Sequence, residues 1–103
     1  MKIVEVNNEN FETEVLKSKV RVLADFNASW CGPCRMLAPV LEELANESDE
    51  YKIVSINVDD EDELAEKYNV SSIPCLIVFE EGKETNRTVG MRPKEEIKKL
   101  LGE

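Results

Sequence analysis

Two cysteines separated by a Gly-Pro pair, Cys31 and Cys34, constrain the fold of this chain more than any other feature. The residues before them, 20–26, form a largely apolar run rich in residues that suit a buried strand. After them, over residues 37–44, three leucines and a valine are spaced three and four apart, as on one face of a helix. The cysteines therefore lie where a buried strand passes into an amphipathic helix.

This position affects the chemistry of the first thiol. Cys31 falls just before the first helical turn, and Pro33 suits an early helical position because its missing N–H would be unpaired there anyway. Unpaired amides and the helix dipole both favour negative charge at that end. We predict that a thiolate at Cys31 is stabilised, and that Cys34, one turn further on, lies inside and is less exposed.

The spacing lets the two sulfur atoms meet in one small ring, so the pair is interpreted as a dithiol–disulfide couple. A thiolate is the attacking species in disulfide exchange. We therefore expect Cys31 to attack the partner's disulfide and Cys34 to resolve the mixed disulfide that forms. The alternatives are a zinc half-site or a pair of structural thiols. A four-ligand zinc site usually needs a second pair of ligands, whereas this chain has no histidine and one further cysteine, Cys75.

Length and charge limit the other function classes. The 103 residues predict a single domain, residues 1–103, and 22 acidic against 13 basic residues give a net charge of −9. This charge argues against sequence-independent nucleic-acid binding and suits either steering towards basic partners or a solvated acidic surface. Residues 1–6 lack the apolar core of a secretion signal, and no run reaches transmembrane length. We therefore expect a cytoplasmic protein without a membrane segment.

The remaining patterns predict the element order βαβαβαββα. Strands are expected at residues 2–6, 20–27, 52–58, 75–80 and 84–89, the last two forming a hairpin. Such an order predicts an α/β sandwich whose sheet has parallel pairs and an antiparallel edge. Four helices are expected between and after these strands. The first is marked by Phe11, Val15 and Leu16, with Asn8 or Asn10 as N-cap, and the second follows the cysteines to about Ser48, with a kink at Pro39. The third is marked by Leu64, Ala65 and Tyr68 after the acidic run 59–62, and the last by Ile97, Leu100 and Leu101 after Pro93.

An acidic residue interrupts the apolar strand six positions before Cys31. Burial without a partner raises the pKa of a carboxyl group, so we expect a raised pKa for Asp25. Beneath the active-site turn, this carboxyl group is placed to exchange a proton with Cys34 as that thiol attacks or leaves. The alternative is a buried aspartate that only accepts hydrogen bonds from nearby amides.

At these residues the chain resembles the thioredoxin family. The segment Trp-Cys-Gly-Pro-Cys-Arg at 30–35, after a strand that contains Asp-Phe, is similar to the family's active-site signature. The resemblance covers essentially the whole chain and extends to Asp25, Pro39, residues 57–59, Ile73-Pro74, Gly82 and Gly90. It implies the thioredoxin fold, a three-layer α/β/α sandwich with a central mixed five-stranded sheet. It also implies a general protein-disulfide reductase with Cys31 and Cys34 as its redox-active disulfide.

The resemblance also implies the roles of individual residues. Asp25 corresponds to the family's proton-exchanging acid, and Ile73-Pro74 to its cis-proline, whose neighbouring backbone pairs with bound substrate. Gly90 and Met91 correspond to a third substrate-facing loop. The docking surface is therefore expected to consist of Trp30, Gly32, Pro33, Ile73, Pro74, Gly90 and Met91.

Partners follow from the same resemblance. It implies no tightly bound cofactor, no metal and a monomer, with electrons supplied by a thioredoxin reductase. The implied clients are ribonucleotide reductase, peroxiredoxins and methionine sulfoxide reductases. Two alternatives keep the fold: a specialised oxidoreductase with one dedicated partner, and a redox-silent binding module.

Three residues depart from the family pattern. Ser55 stands where a lysine is common, so we predict a higher pKa for Asp25 than in a typical relative. Cys75 replaces the usual threonine after the proline, and a third thiol there offers an alternative disulfide partner, a target for oxidation or a third thiolate for a metal site. Because strand neighbours point to opposite faces, we expect Cys75 instead to face away from the site as a small buried residue. Asn27 replaces an aromatic residue, which predicts lower stability than an aromatic variant such as Asn27→Trp.

Overall fold

A single five-stranded sheet organises the computed structural model, which describes residues 2–103; Met1, the first residue of the predicted domain, lies outside the described residues. The strands β1, β3, β2, β4 and β5 follow one another across the sheet. The first three are parallel, and β4 is antiparallel to both β2 and β5, which confirms the predicted mixed sheet. The strand bounds are β1 (Val4–Glu5), β2 (Arg21–Asn27), β3 (Tyr51–Asn57), β4 (Cys75–Glu80) and β5 (Lys83–Val89).

Helices cover both faces of the sheet, as the predicted three-layer sandwich requires. A π-helical segment (Glu12–Leu16) and α2 (Asp62–Lys67) bury their apolar residues against one face. The helices α1 (Gly32–Glu47) and α3 (Lys94–Leu100) bury theirs against the other face. Among residues 2–103, a hydrophobic core therefore lies on each side of the sheet.

The side chains of β2 alternate between these two cores. Val22, Ala24 and Phe26 belong to the core beneath the π-helical segment and α2, whereas Leu23 belongs to the core beneath α1 and α3. Asp25 follows Leu23 by two residues and therefore faces α1. The strand thus brings a carboxyl group under the helix that begins at the cysteines.

The first helical segment differs from the predicted amphipathic α-helix. Lys17 N donates to Glu12 O at 2.9 Å, a bond across five residues that defines a π-helix. Neither Asn8 nor Asn10 caps it, so that prediction was wrong. Asn7 Oδ1 accepts from the amides of Glu9 and Asn10 at 2.8 and 3.0 Å, which stabilises the turn before the helix instead.

The other boundaries lie close to the predicted ones. α1 ends at Glu47, next to the expected Ser48, and Pro39 lies inside it, while the predicted kink there stays a prediction. Pro93 is the N-cap of α3. The β4–β5 turn passes through Glu81 and Gly82, both with positive φ, which explains a glycine at this position. Among residues 2–103, every helix is too short or too polar to cross a lipid bilayer.

Candidate active site

Cys31 is the N-cap residue of α1, so the strand–helix junction lies where the sequence predicted it. Its backbone is extended, and its Sγ accepts a hydrogen bond from Cys34 N at 3.2 Å. Its carbonyl accepts from Arg35 N at 3.1 Å, which begins the helix. The sulfur therefore sits among the unpaired amides of a helix N-terminus, where negative charge is stabilised.

The two cysteines form a disulfide bond, with their Cα atoms 5.2 Å apart. The predicted difference in exposure was wrong, because Cys31 is 5% and Cys34 7% exposed. The Ile73 segment explains the burial of Cys31, since its carbonyl oxygen lies 3.9 Å from Cys31 Sγ. Cys34 instead lines a cavity beneath the turn. Both cysteines are thus buried in the oxidised state.

That cavity connects the disulfide to the predicted acid. It has a volume of about 310 Å³, and Asp25, Cys34 and Ser55 all line it. Burial raises the pKa of Asp25 from 3.8 to about 7; the hydrogen bond from Asn27 lowers this pKa, and the negative charge of Glu5 raises it. The predicted raised pKa is confirmed. An acid with this pKa exists in both protonation states near neutral pH, as proton exchange with a thiol requires.

Asn27 and Ser55, two of the departures from the family pattern, meet at Asp25. Asn27 Nδ2 lies 3.1 Å from Asp25 Oδ2 and 2.8 Å from Ser55 Oγ. The sequence had suggested only that Asn27 removes apolar bulk, and it missed these hydrogen bonds. The predicted gain in stability from Asn27→Trp stays a prediction.

The expected docking residues come together around the disulfide. The Ile73–Pro74 peptide bond is cis, and Ile73 packs against the cluster that contains both cysteines. Pro74 O accepts a hydrogen bond from Gly90 N at 2.8 Å, which joins the second and third loops. A Cβ atom added at Gly32 would meet nothing within 4 Å, so the surface above the helix start is open. Trp30, Pro33 and Met91 are exposed beside these loops.

Trp30 is held in place at this surface. Its side chain is 65% exposed, yet its indole Nε1 donates to Asp59 Oδ2 at 2.8 Å. The sequence singled out Asp59 only within the run 57–59 that resembles the family and within the acidic run 59–62, and its role as the hydrogen-bond partner of Trp30 was missed. An exposed but oriented aromatic side chain is suited to contact a partner protein.

Cys75 lies on the opposite face of the sheet, as predicted. It is 1% exposed and belongs to the cluster of Phe26, Ile77 and Phe79, not to that of the disulfide. Burial raises the pKa of its thiol, which keeps it protonated and unreactive. The third cysteine is therefore separated from the redox pair by the sheet itself.

Comparisons with known proteins agree with this geometry. The profile of the thioredoxin family matches residues 2–103. The thioredoxin of Bacillus subtilis (strain 168) is 49% identical over 98% of this chain and 96% of its own length. The thioredoxin of Chlamydia trachomatis is 47% identical over 93% and 92%.

A solved structure extends the likeness to three dimensions. A mutant thioredoxin from Halobacterium salinarum NRC-1 superposes with a TM-score of 0.90 at 35% identity, covering 97% of this chain and 88% of its own. The sequence match, the superposition and the Cys31–Cys34 pair lead to one conclusion: the chain belongs to the thioredoxin family and is a protein-disulfide oxidoreductase.

Proposed function

We propose that the protein is a general protein-disulfide reductase that donates electrons to cytoplasmic client proteins. The observation that carries the proposal is the position of Cys31 Sγ at the start of α1. This sulfur accepts a hydrogen bond from Cys34 N and forms a disulfide bond with Cys34 Sγ. A sulfur so placed is stabilised as a thiolate once the disulfide is reduced, and it is then a nucleophile and a good leaving group.

The reaction has two exchange steps. The Cys31 thiolate attacks one sulfur of a client disulfide; a Cys31–client disulfide forms and the client's other sulfur leaves as a thiolate. Cys34 then gives its proton to Asp25 and attacks Cys31 Sγ, forming the Cys31–Cys34 bond and releasing the second client thiolate. Two electrons pass from the protein to the client. A thioredoxin reductase returns them, and no tightly bound cofactor or metal takes part.

Clients bind across the loops that surround the disulfide. Trp30 and Met91, 65% and 36% exposed, offer apolar contacts, and the backbone beside Pro74 offers strand-like pairing. We propose ribonucleotide reductase, peroxiredoxins and methionine sulfoxide reductases as the client classes, with the protein acting as a monomer.

The test equilibrates the protein in graded thiol–disulfide buffers, traps it by alkylation and maps cysteine pairs by mass spectrometry. We expect a Cys31–Cys34 bond with a strongly reducing potential, together with reduction of insulin disulfides when a generic thioredoxin reductase supplies electrons. An oxidising potential would point to a disulfide donor or isomerase. Activity only with a dedicated reductase would indicate a specialised oxidoreductase, and no bond at any ratio would leave a redox-silent binding module.

A further inference from the structure

A row of polar side chains crosses three strands beneath the active site. Glu5 on β1 is in register with Ser55 on β3, which is in register with Asp25 on β2. All three line the cavity of about 310 Å³, together with Asn27 at the end of β2 and Cys34 on α1. Polar side chains make up part of the lining, and the cavity is wide enough for water, so it offers a path for a proton between Asp25 and Cys34.

Asn27 fixes the orientation of the Asp25 carboxyl group. Its Nδ2 lies 3.0 Å from the backbone oxygen of Asp25, 3.1 Å from Asp25 Oδ2 and 2.8 Å from Ser55 Oγ. A backbone oxygen only accepts hydrogen bonds, so the amide nitrogen and not the amide oxygen must face this group. Asn27 is therefore a donor to Oδ2, and Ser55 holds the same nitrogen from the neighbouring strand.

The other carboxyl oxygen is left free. Asp25 Oδ1 is buried and has no hydrogen-bond partner within residues 2–103. A carboxyl group carries its proton on one oxygen, and an oxygen that accepts a hydrogen bond from an amide is the poorer place for it. When Asp25 is protonated, its proton therefore lies on Oδ1. Asp25 lines the same cavity as Cys34.

We propose that Asn27 is a positioning residue of the disulfide exchange: held by Ser55, its amide occupies Oδ2 of Asp25 and leaves Oδ1 to exchange the proton of Cys34 through the cavity. This inference rests on the proposed role of Asp25. In the resolving step, the Cys34 S–H bond breaks and its proton passes to Oδ1, directly or through a water. The Cys31–client bond breaks as the Cys31–Cys34 bond forms. When the disulfide is reduced, the same proton returns to the leaving Cys34 thiolate.

Asn27 also acts on the acidity of Asp25 in a defined direction. A hydrogen bond to the charged form favours that form, so Asn27 lowers the pKa of Asp25 against burial and against the negative charge of Glu5. The other titratable groups lining the cavity are Cys34, Arg35 and Glu42 of α1, while the Cys75 thiol of β4 lies on the opposite face. The neutral amide of Asn27 therefore partly offsets the cost of burying the charged Asp25 carboxylate, and it does so without adding a buried positive charge.

The experiment compares Asn27→Leu with wild type by two measurements between pH 5 and 9. One is the titration of the Asp25 carboxyl carbon by NMR in the reduced protein. The other is the single-turnover rate at which reduced protein is oxidised by excess glutathione disulfide. We expect the Asp25 pKa in Asn27→Leu to rise by about one pH unit above wild type. The rate at pH 7 then falls about five-fold, since a smaller fraction of Asp25 is ionised.

Three controls make the result specific. Asn57→Leu removes the side chain of the half-buried asparagine in register with Asn27, which bonds the Asp59 amide instead, and should leave the Asp25 titration unchanged. Ser55→Ala should move it in the same direction as Asn27→Leu but by less. In an Asp25→Asn background, Asn27→Leu should no longer alter the pH profile, because its effect passes through Asp25.

Two results would overturn the inference in distinguishable ways. If Asn27→Leu folds with a wild-type Asp25 titration while Asp25→Asn changes the pH profile, Asn27 has no positioning role but Asp25 keeps its own. If Asp25→Asn leaves the pH profile unchanged, Asp25 is not the proton acceptor, and the roles of both residues fail together. Thermal melting of each variant separates loss of folding from either result.

Discussion

On the face of the sheet covered by α1 and α3, several polar side chains lie close to the active site. The opposite face, covered by the π-helical segment and α2, stays apolar up to Phe26 and Cys75. The first face holds an acid, an amide and a hydroxyl beside a cavity. The second holds a cluster of aromatic rings in edge-to-face contact, with the Phe79 centroid 5.9 Å from that of Phe11 and 5.3 Å from that of Tyr68. Of the two cysteines other than Cys31, Cys34 lies beside the cavity of the first face and Cys75 lies in the core of the second.

The difference shows how strand alternation separates reactive from inert sulfur. Leu76 and Cys75 are neighbours on β4, yet Leu76 packs with the α1 core and Cys75 with the aromatic core. A shift of one residue would bring the third thiol to the face of the redox pair. The register of β4 therefore keeps Cys75 away from the active site, which then contains only the thiols of Cys31 and Cys34.

The largest expected contrast between the faces is in activity. Cys31→Ser should lose insulin-disulfide reduction by at least about 1000-fold, because the attacking thiolate is gone. Cys75→Ala should retain wild-type activity within about two-fold, since its thiol is buried on the other face. The rate is measured with a thioredoxin reductase and NADPH. A comparable loss in a folded Cys75→Ala protein would show that the sheet does not isolate the third thiol.

The aromatic face should respond to truncation at every pH. Phe79→Ala is expected to lower the free energy of unfolding by about 3–5 kcal/mol, because it removes a fully buried ring that contacts two others. Urea unfolding at pH 5 and pH 8 should give the same loss. The Asp25 titration should not move, and a shift there would mean that the two faces are coupled. Phe79→Leu replaces it if the alanine variant does not fold.

On the polar face, removing the charge of Asp25 should change the free energy of unfolding only at a pH above the pKa of Asp25 in the unfolded chain. The Asp25 pKa is about 7 in the folded protein and near 3.8 in the unfolded chain, so the folded state keeps a proton that the unfolded state has lost between these values. Stability therefore falls as pH rises from about 4 to about 7. Asp25→Asn should raise the free energy of unfolding at pH 8 by up to about 4 kcal/mol.

The control for this prediction is the same pair of proteins at pH 4. There Asp25 is largely protonated in the folded state, and the variant should gain little. Comparison of variant and wild type at each pH cancels the titration of the other carboxylates. An equal gain at both pH values would attribute the effect to packing and not to ionisation.

The smallest expected effect is at Cys75 itself. Cys75→Val should change the free energy of unfolding by less than about 1.5 kcal/mol, because one small apolar side chain replaces another in a buried cluster. In the reduced wild-type protein, iodoacetamide should modify Cys31 in the native state and Cys75 only in denaturant. Rapid native labelling of Cys75 would contradict its burial.

The features that the sequence predicted well are local ones. The junction at Cys31, the β4 strand from Cys75 and the end of α1 near Ser48 follow from periodicity and from turn or cap residues within a few positions. The cis bond before Pro74 came from the family resemblance, since a sequence alone does not distinguish cis from trans.

The features that the sequence missed depend on residues far apart in the chain. The contribution of Glu5 to the acidity of Asp25 comes from strand register, and the bond from Asn27 to Ser55 spans two strands. The equal burial of the two cysteines comes from the Ile73 loop covering Cys31. The π-helical segment was missed because a π-helix and an α-helix present similar apolar faces in so short a segment.

The hydrogen bond from Trp30 to Asp59 has a consequence for spectroscopy. Trp30 is the only tryptophan of the chain; it directly precedes Cys31 in the sequence, and its indole lies on the surface outside both cores. Intrinsic tryptophan emission therefore reports on the disulfide and on a docked client more directly than on the packing of the cores. Loss of the cores is better followed through Tyr51 and Tyr68, whose rings pack in the two opposite clusters. The fluorescence of Trp30 thus reports on the active site, and that of Tyr51 and Tyr68 reports on the folding of the two cores.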